Sequence, residues 1–205
     1  MSLHVYTGPM FSGKTTTLNQ EISKYLLLFK KKGVLISPSV DNRSKTDNPQ
    51  TSHNPCYYYP PNNLQIIQLS RLDDFDFSDY DVIGIEEAHF FPNLHDNIKN
   101  LLKLNKKIYV AGLDSNYKLE RFKGEIFSDI SELLYLSDTF EKMSGICIEC
   151  LNEHHKNNIF HDFYDVKKGS FTKRIKNDNN DLLIGGKETY MCVCRYHHNY
   201  SEVDK

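Results

Sequence analysis

Gly8-Pro9-Met10-Phe11-Ser12-Gly13-Lys14-Thr15 fits G-x-x-x-x-G-K-[ST], the pattern of a phosphate-binding loop. Its glycines let the backbone curl so that consecutive N–H groups turn inward, toward phosphate oxygens. Lys14 is placed to reach the β- and γ-phosphates, and the Thr15 hydroxyl to ligate Mg²⁺. The flanks agree with this reading. Leu3–Tyr6 reads as a short strand before the loop. After it, Leu18, Ile22, Leu26 and Phe29 recur at helical spacing. Strand, loop and helix together aim a helix N-terminus at an anion.

Outward from the loop, strands and helices alternate, as a parallel sheet with crossover helices requires. Val34–Ser37 is a second strand. Asp41–Pro61 is polar, rich in Asn, Ser and Pro, and carries three consecutive tyrosines; it reads as a long loop of the kind that often serves function. Leu64–Leu69 and Val82–Ile85 are further strands. Leu94, Ile98, Leu101 and Leu102 mark a helix, and Ile108–Ala111 a buried strand that stops at Gly112. From Cys147 onward the texture changes to short segments, paired cysteines and many His and Asn residues. The expected organisation is an α/β nucleotide-binding domain over 1–143, a zinc-stapled lobe over 144–198 and a tail over 199–205.

The chain has 205 residues and a net charge of −2. It lacks the basic excess of a dedicated nucleic-acid surface, so no nucleic-acid partner is expected. No apolar run approaches the ~20 residues that span a bilayer, and the strand at the N-terminus leaves no visible signal or transit peptide. The five cysteines, Cys56, Cys147, Cys150, Cys192 and Cys194, are odd in number and clustered. That pattern suits reduced thiols and a metal site better than a disulfide framework. A soluble, cytoplasmic enzyme is the expectation.

Three further constellations carry chemistry. Val82–Ile85 runs into Glu86-Glu87-Ala88-His89-Phe90-Phe91, an apolar strand ending in two carboxylates. In the Walker-B arrangement one such acid holds hydrated Mg²⁺ and the next acts as base or orients a nucleophile. Active sites of open α/β sheets lie at these strand ends. Gly112-Leu113-Asp114 also begins at a strand end, and Tyr117 and Phe122 follow it with aromatic faces for a planar base. Finally, Cys147-x-x-Cys150 and Cys194-x-x-His197 form two knuckles with tetrahedral zinc spacing. Cys192 and His198 break that spacing, and four protein ligands make the Zn²⁺ structural.

Taken together, these residues resemble the type II thymidine kinases, the group that includes the cytosolic human and poxvirus enzymes. The resemblance runs from Leu3 to about His198. Its P-loop carries Pro-Met-Phe-Ser. Val40-Asp41-Asn42-Arg43 resembles the family's K-D-x-R, with Val40 for the Lys. Glu86-Glu87-Ala88-His89-Phe90-Phe91 resembles D-E-[AG]-[QH]-F-F. Phe171-Thr172-Lys173-Arg174 resembles the start of the lasso loop that closes over thymidine, and Ile184-Gly185-Gly186 with Tyr190 its end. The resemblance implies a RecA-like P-loop fold and γ-phosphoryl transfer from ATP to the 5′-hydroxyl of thymidine, with deoxyuridine as a second substrate. It implies Glu87 as base, Lys14 and Arg43 stabilising the transferring group, and Thr15 with Glu86 holding Mg²⁺. Met10, Leu113, Tyr117, Phe122, Phe171, Thr172 and Tyr190 would line the thymine site. A homotetramer and dTTP as feedback inhibitor are implied by the family alone. The chain departs from the family pattern at Glu86 (usually Asp), Tyr117 (usually Phe), His197 (usually Cys) and Leu151–Ser170, which reads as a longer polar excursion. Glu86-Glu87-Ala88-His89 also mimics a helicase box, but the chain is too short for two motor domains.

Overall fold

A computed structural model describes residues 1–40, 60–122, 124–156, 166–176 and 184–199. Arg43 and all of the expected 41–61 loop except Pro60 and Pro61 lie outside these residues. The chain forms two compact units. The first comprises Met1–Thr7, Lys14–Asp114 and Arg121–Lys142; the second comprises Gly8–Gly13, Ser115–Glu120 and Met143–Lys205.

The first unit holds strands β1 (Ser2–Thr7), β2 (Gly33–Pro38), β3 (Leu64–Leu69), β4 (Val82–Ile85), β5 (Lys107–Gly112) and β6 (Thr139–Lys142), with helices α1 (Lys14–Phe29) and α2 (Leu94–Lys103). All six strands pair in parallel, in the order β3-β2-β4-β5-β1-β6. The central strands β2 and β4 are buried along their whole length, whereas edge strands β3 and β6 are partly exposed. Helices on the faces of a parallel sheet produce such continuous apolar runs. The expected α/β parallel sheet is therefore the fold of this unit, and each expected strand and helix falls within an observed one.

α1 seats Leu18, Ile22 and Leu26 fully buried, one turn apart on a single face, each contributing about 1.5–3 kcal/mol of apolar burial. Gly84 makes this close packing possible, since a Cβ there would lie 2.2 Å from Ile22 Cδ1. Phe29, expected on the same stripe, is instead 57% exposed. Leu26 is the last residue over the sheet, and the chain leaves the helix through Lys30 in the left-handed region (φ 51°). Phe29 then packs on Tyr25, with ring centroids 4.5 Å apart.

The second unit holds β7 (Gly145–Ile146), α3 (Ile148–Lys156), β8 (Lys168–Gly169), β9 (Phe171–Arg174), β10 (Tyr190–Val193) and α4 (Arg195–Asn199). The polar stretch expected as an excursion from Leu151 differs at both ends. Its first six residues complete α3, and Lys168–Gly169 pairs antiparallel with β7. β9 and β10 form an antiparallel pair in which Thr172 faces Cys192 and Arg174 faces Tyr190. Alternation along strands gives this hairpin two different faces. Thr172, Arg174, Tyr190 and Cys192 share one. On the other, Phe171, Met191 and Val193 pack against Cys147, Cys150 and Cys194.

Candidate active site

In the first unit, the adjacent strands β4, β5 and β1 end side by side, with Thr7 in register with Gly112 and Ile85 with Val110. Carboxyl ends of parallel strands are where open α/β sheets bind ligands. β4 delivers Glu86, whose side chain is buried (4% exposed) and whose N–H donates to the Ile36 carbonyl at 2.8 Å. Glu87 follows in the left-handed region (φ 46°, ψ 43°), a conformation that a non-glycine residue holds only under surrounding constraint and that clusters at functional sites. The turn Ala88–Phe90 then presses against β5. Gly112 permits it, because a Cβ there would meet Ala88 N at 3.2 Å and His89 N at 3.3 Å.

His89, to which the sequence assigned no role beyond its place in the Glu86–Phe91 motif, organises this edge. It is fully buried, and its Nδ1 accepts the Leu113 N–H at 3.3 Å. Nδ1 is therefore unprotonated, and the ring is neutral with its proton on Nε2. Glu87 Oε2 lies 3.7 Å from that same Nδ1, within ion-pair distance, but a neutral ring carries no charge to pair with it. The ring packs on Phe90 and on Phe122, at centroid distances of 4.2 and 4.5 Å. Phe122 also contacts Phe127, so it belongs to an aromatic cluster anchored by His89. Asp114 is ion-paired with Lys142 at 2.6 Å.

α1 opens with Lys14 and Thr15 and carries no acidic residue in its first turn, leaving the positive end of its dipole for an anion. Lys14 is buried (8% exposed). Thr15 carries a hydroxyl and Glu86 a buried carboxylate, hard oxygen donors of the kind that Mg²⁺ takes.

In the second unit, Gly8–Gly13 takes the tight path that its glycines allow. Gly8 (φ 134°) lies so close to Met143 that a Cβ would meet its carbonyl oxygen at 2.4 Å. Ser12 Oγ is buried and makes no hydrogen bond among the described residues, as suits a group that meets a bound phosphate. Met10 N–H donates to Thr172 Oγ1 at 2.9 Å. That bond joins two residues expected at the thymine site.

Tyr117 and Tyr190, also expected there, are joined by a residue not singled out from the sequence. The Arg174 guanidinium stands 3.9 Å from the Tyr117 ring centroid, and its Nη2 donates to Tyr190 Oη at 3.2 Å. His198, rejected as a metal ligand, donates from Nε2 to the Tyr117 carbonyl at 3.0 Å. Arg174 stands two residues beyond Thr172, so strand alternation alone placed it on the same face.

Cys147, Cys150, Cys194 and His197 come together as expected, with ligand atoms all within 4.8 Å of one another. His197 Nδ1 lies 3.4, 3.5 and 3.4 Å from the sulfurs of Cys147, Cys150 and Cys194, and Cys150 Sγ is 3.9 Å from Cys194 Sγ. Zn–S bonds of ~2.3 Å and Zn–N bonds of ~2.05 Å put tetrahedral S···S edges near ~3.8 Å and S···N edges near ~3.6 Å. The donor set and its spacing fit zinc. Cys192 is separate, its Sγ bonded to the Gly169 carbonyl. Within the cage, burial pushes the Cys150 thiol up to about 12, with Cys147 adding to the rise. Burial also opposes ionisation of Cys194, but hydrogen bonds led by His197 outweigh it and hold that thiol at about 7. Burial lowers His197, yet its bonds to Cys147, Glu153 and Cys194 raise it overall to about 9.

The phosphate-loop sequence, the paired acids at the end of β4 and the Cys/His cage mark an α/β protein of the P-loop class with a cluster that could hold a structural metal. Among the described residues no helix is long and apolar enough to cross a membrane. The family model described as "Thymidine kinase" matches residues 1–198. The chain is 32% identical over 198 residues to the thymidine kinase of fowlpox virus (strain NVSL), covering 95% of this chain and 94% of that one. It is 34% identical over 203 residues to that of Choristoneura fumiferana entomopoxvirus, covering 97% of each. It is 33% identical over 208 residues to that of Amsacta moorei entomopoxvirus, covering 98% of this chain and all of the other. The chain belongs to the thymidine kinase family.

Proposed function

We infer that this chain phosphorylates thymidine, moving the ATP γ-phosphoryl group to the 5′-hydroxyl and releasing ADP and thymidine 5′-monophosphate. Family membership supplies the substrates. The observation that carries the chemistry is the pair Glu86 and Glu87 at the carboxyl end of β4, one buried and the other held in the left-handed region.

In this reading the thymidine O5′ attacks Pγ, the new O5′–Pγ bond forms, and the bond from Pγ to the β–γ bridging oxygen breaks. Glu87 takes the hydroxyl proton. A neutral His89 suits this role, since its Nδ1 is occupied by Leu113 N–H and puts no imidazolium beside the base. Lys14, at the start of α1, offsets charge on the transferring phosphoryl group, with Arg43 as its partner. Thr15 and Glu86 would hold Mg²⁺, which when bound neutralises charge on the β- and γ-oxygens. The Gly8–Thr15 loop binds the phosphates through its N–H groups from Phe11 onward, since Pro9 has no N–H and that of Met10 is given to Thr172 Oγ1. Met10, Thr172, Tyr117, Tyr190, Leu113, Phe122 and Phe171 hold the base, and the Met10–Thr172 bond and the Arg174 bridge support that grouping. Residues 1–143 carry the nucleotide chemistry and 144–198 the lasso and zinc. A cytoplasmic homotetramer inhibited by dTTP rests on the family resemblance alone.

The test is ADP release over a nucleoside panel with the purified full chain. Thymidine and deoxyuridine should be turned over and purine nucleosides should not. Deoxyguanosine turnover equal to that of thymidine would sink the substrate assignment.

A further inference from the structure

The metal cage has a partner that its four ligands do not account for. His197 turns Nδ1 toward the three sulfurs, so Nε2 points away from them. Glu153 Oε1 lies 3.0 Å from that Nε2. The contact is built by two elements. α3 (Ile148–Lys156) carries both Cys150 and Glu153, three residues apart and so on one helix face. α4 (Arg195–Asn199) carries His197. One helix face therefore supplies a sulfur to the cage and a carboxylate to the ring that completes it. His197 is fixed from a third side as well, since Lys173 Nζ donates to its carbonyl at 3.1 Å.

We propose that Glu153 is a positioning residue of the metal centre, which accepts the His197 Nε2–H, locks the tautomer that presents Nδ1 to zinc, and strengthens that nitrogen as a ligand. The physical logic is general. An imidazole bound to metal through one nitrogen carries its proton on the other, and a carboxylate accepting that proton's hydrogen bond both orients the ring and raises its basicity. Without the bond the ring loses the contact that orients it, and zinc would meet a less basic nitrogen. Loss of such partners costs about 10- to 100-fold in metal affinity. Glu153 is 59% exposed, so solvent screening places the effect toward the lower end, about 10-fold.

The test measures zinc affinity of the full chain by chelator competition, independent of turnover. Glu153→Ala should bind zinc about 10-fold more weakly. Glu153→Gln keeps an acceptor but loses the charge, and should fall between Ala and the parent. Glu149→Gln removes an acidic charge one turn earlier on α3 without touching His197, and should leave affinity unchanged. The His197 Nε2–H resonance in the zinc-loaded protein reads the hydrogen bond itself. It should move strongly upfield in Glu153→Ala, which a merely helix-stabilising role for Glu153 would not cause. Parent-like affinity in both Glu153 variants overturns the proposal. So does equal weakening by Glu149→Gln, which would make the effect one of overall charge. Were Glu153→Ala to misfold, an unshifted resonance with parent-like affinity in Glu153→Gln would overturn it alone.

Discussion

Arg174→Ala should weaken thymidine binding while leaving ATP and zinc binding as they are. The side chain bridges two aromatic residues of the proposed base site, with its guanidinium 3.9 Å from the Tyr117 ring centroid and 3.2 Å from Tyr190 Oη. A partly exposed cation–π contact contributes about 0.5–1 kcal/mol, and a partly exposed hydrogen bond about 1 kcal/mol net. Removing both frees about 1.5–2 kcal/mol of ordering that thymidine must then supply itself. At 1.4 kcal/mol per tenfold, that is a rise of about 10- to 30-fold in KM for thymidine. The face of β9–β10 that packs on the cage is untouched, because Arg174 and Tyr190 share the opposite face. Zinc content should therefore stay at the parent level. Arg174→Lys keeps the charge but loses the planar fork, and should recover only part of the loss. The assay is steady-state kinetics with each substrate varied in turn, alongside zinc analysis. A thymidine KM within twofold of the parent, in folded and zinc-loaded protein, would refute the reasoning. So would an ATP KM that rose in parallel.

Glu87→Gln should retain both substrate KM values but lose about 10²–10⁴-fold in kcat, and near-parent turnover would move the base role to another group. Zinc uptake by the metal-free chain at pH 7.5 should release protons. His197 lies at about 9 and Cys150 at about 12 before binding, and both must give up a proton to ligate. Calorimetry in two buffers of different ionisation enthalpy should give different heats; identical heats would contradict it. Gly84→Ala should cost about 1–3 kcal/mol by overpacking, because its Cβ would sit 2.2 Å from Ile22 Cδ1 and 2.9 Å from Leu35 Cδ1. An unchanged thermal midpoint would show that α1 gives way freely.

Much of this protein is legible without coordinates because its signals are local. A phosphate loop is contiguous in sequence, so Gly8–Thr15 announces both its strand and its helix. Buried central strands read as apolar runs, as β4 does at Val82–Ile85, and the edge strand β3 also coincides with its expected stretch, Leu64–Leu69. Two x₂ knuckles point to the four residues of the Cys/His cage because each knuckle is a short-range geometric unit. Periodicity carried the helix correctly to Phe29, the last residue of α1, but not its exposure, since the point where a helix overhangs its sheet depends on where the next strand begins.

What only the tertiary structure decided are contacts between residues distant in sequence. The Leu113 N–H that fixes the His89 tautomer comes from the residue just past the end of β5, 24 positions away. Arg174 meets Tyr117 across 57 positions, from 117 to 174, and Glu153 meets His197 across 44. No residue pattern encodes these partners, because a side chain's role in them is set by which elements the fold brings together. The sequence by itself determined the phosphate-loop pattern, the paired acids, the Cys/His set that could hold a metal, and the family. Folding determined which neighbours hold those groups in position, since hydrogen bonds and ring contacts act over a few ångströms of space rather than a few residues of chain.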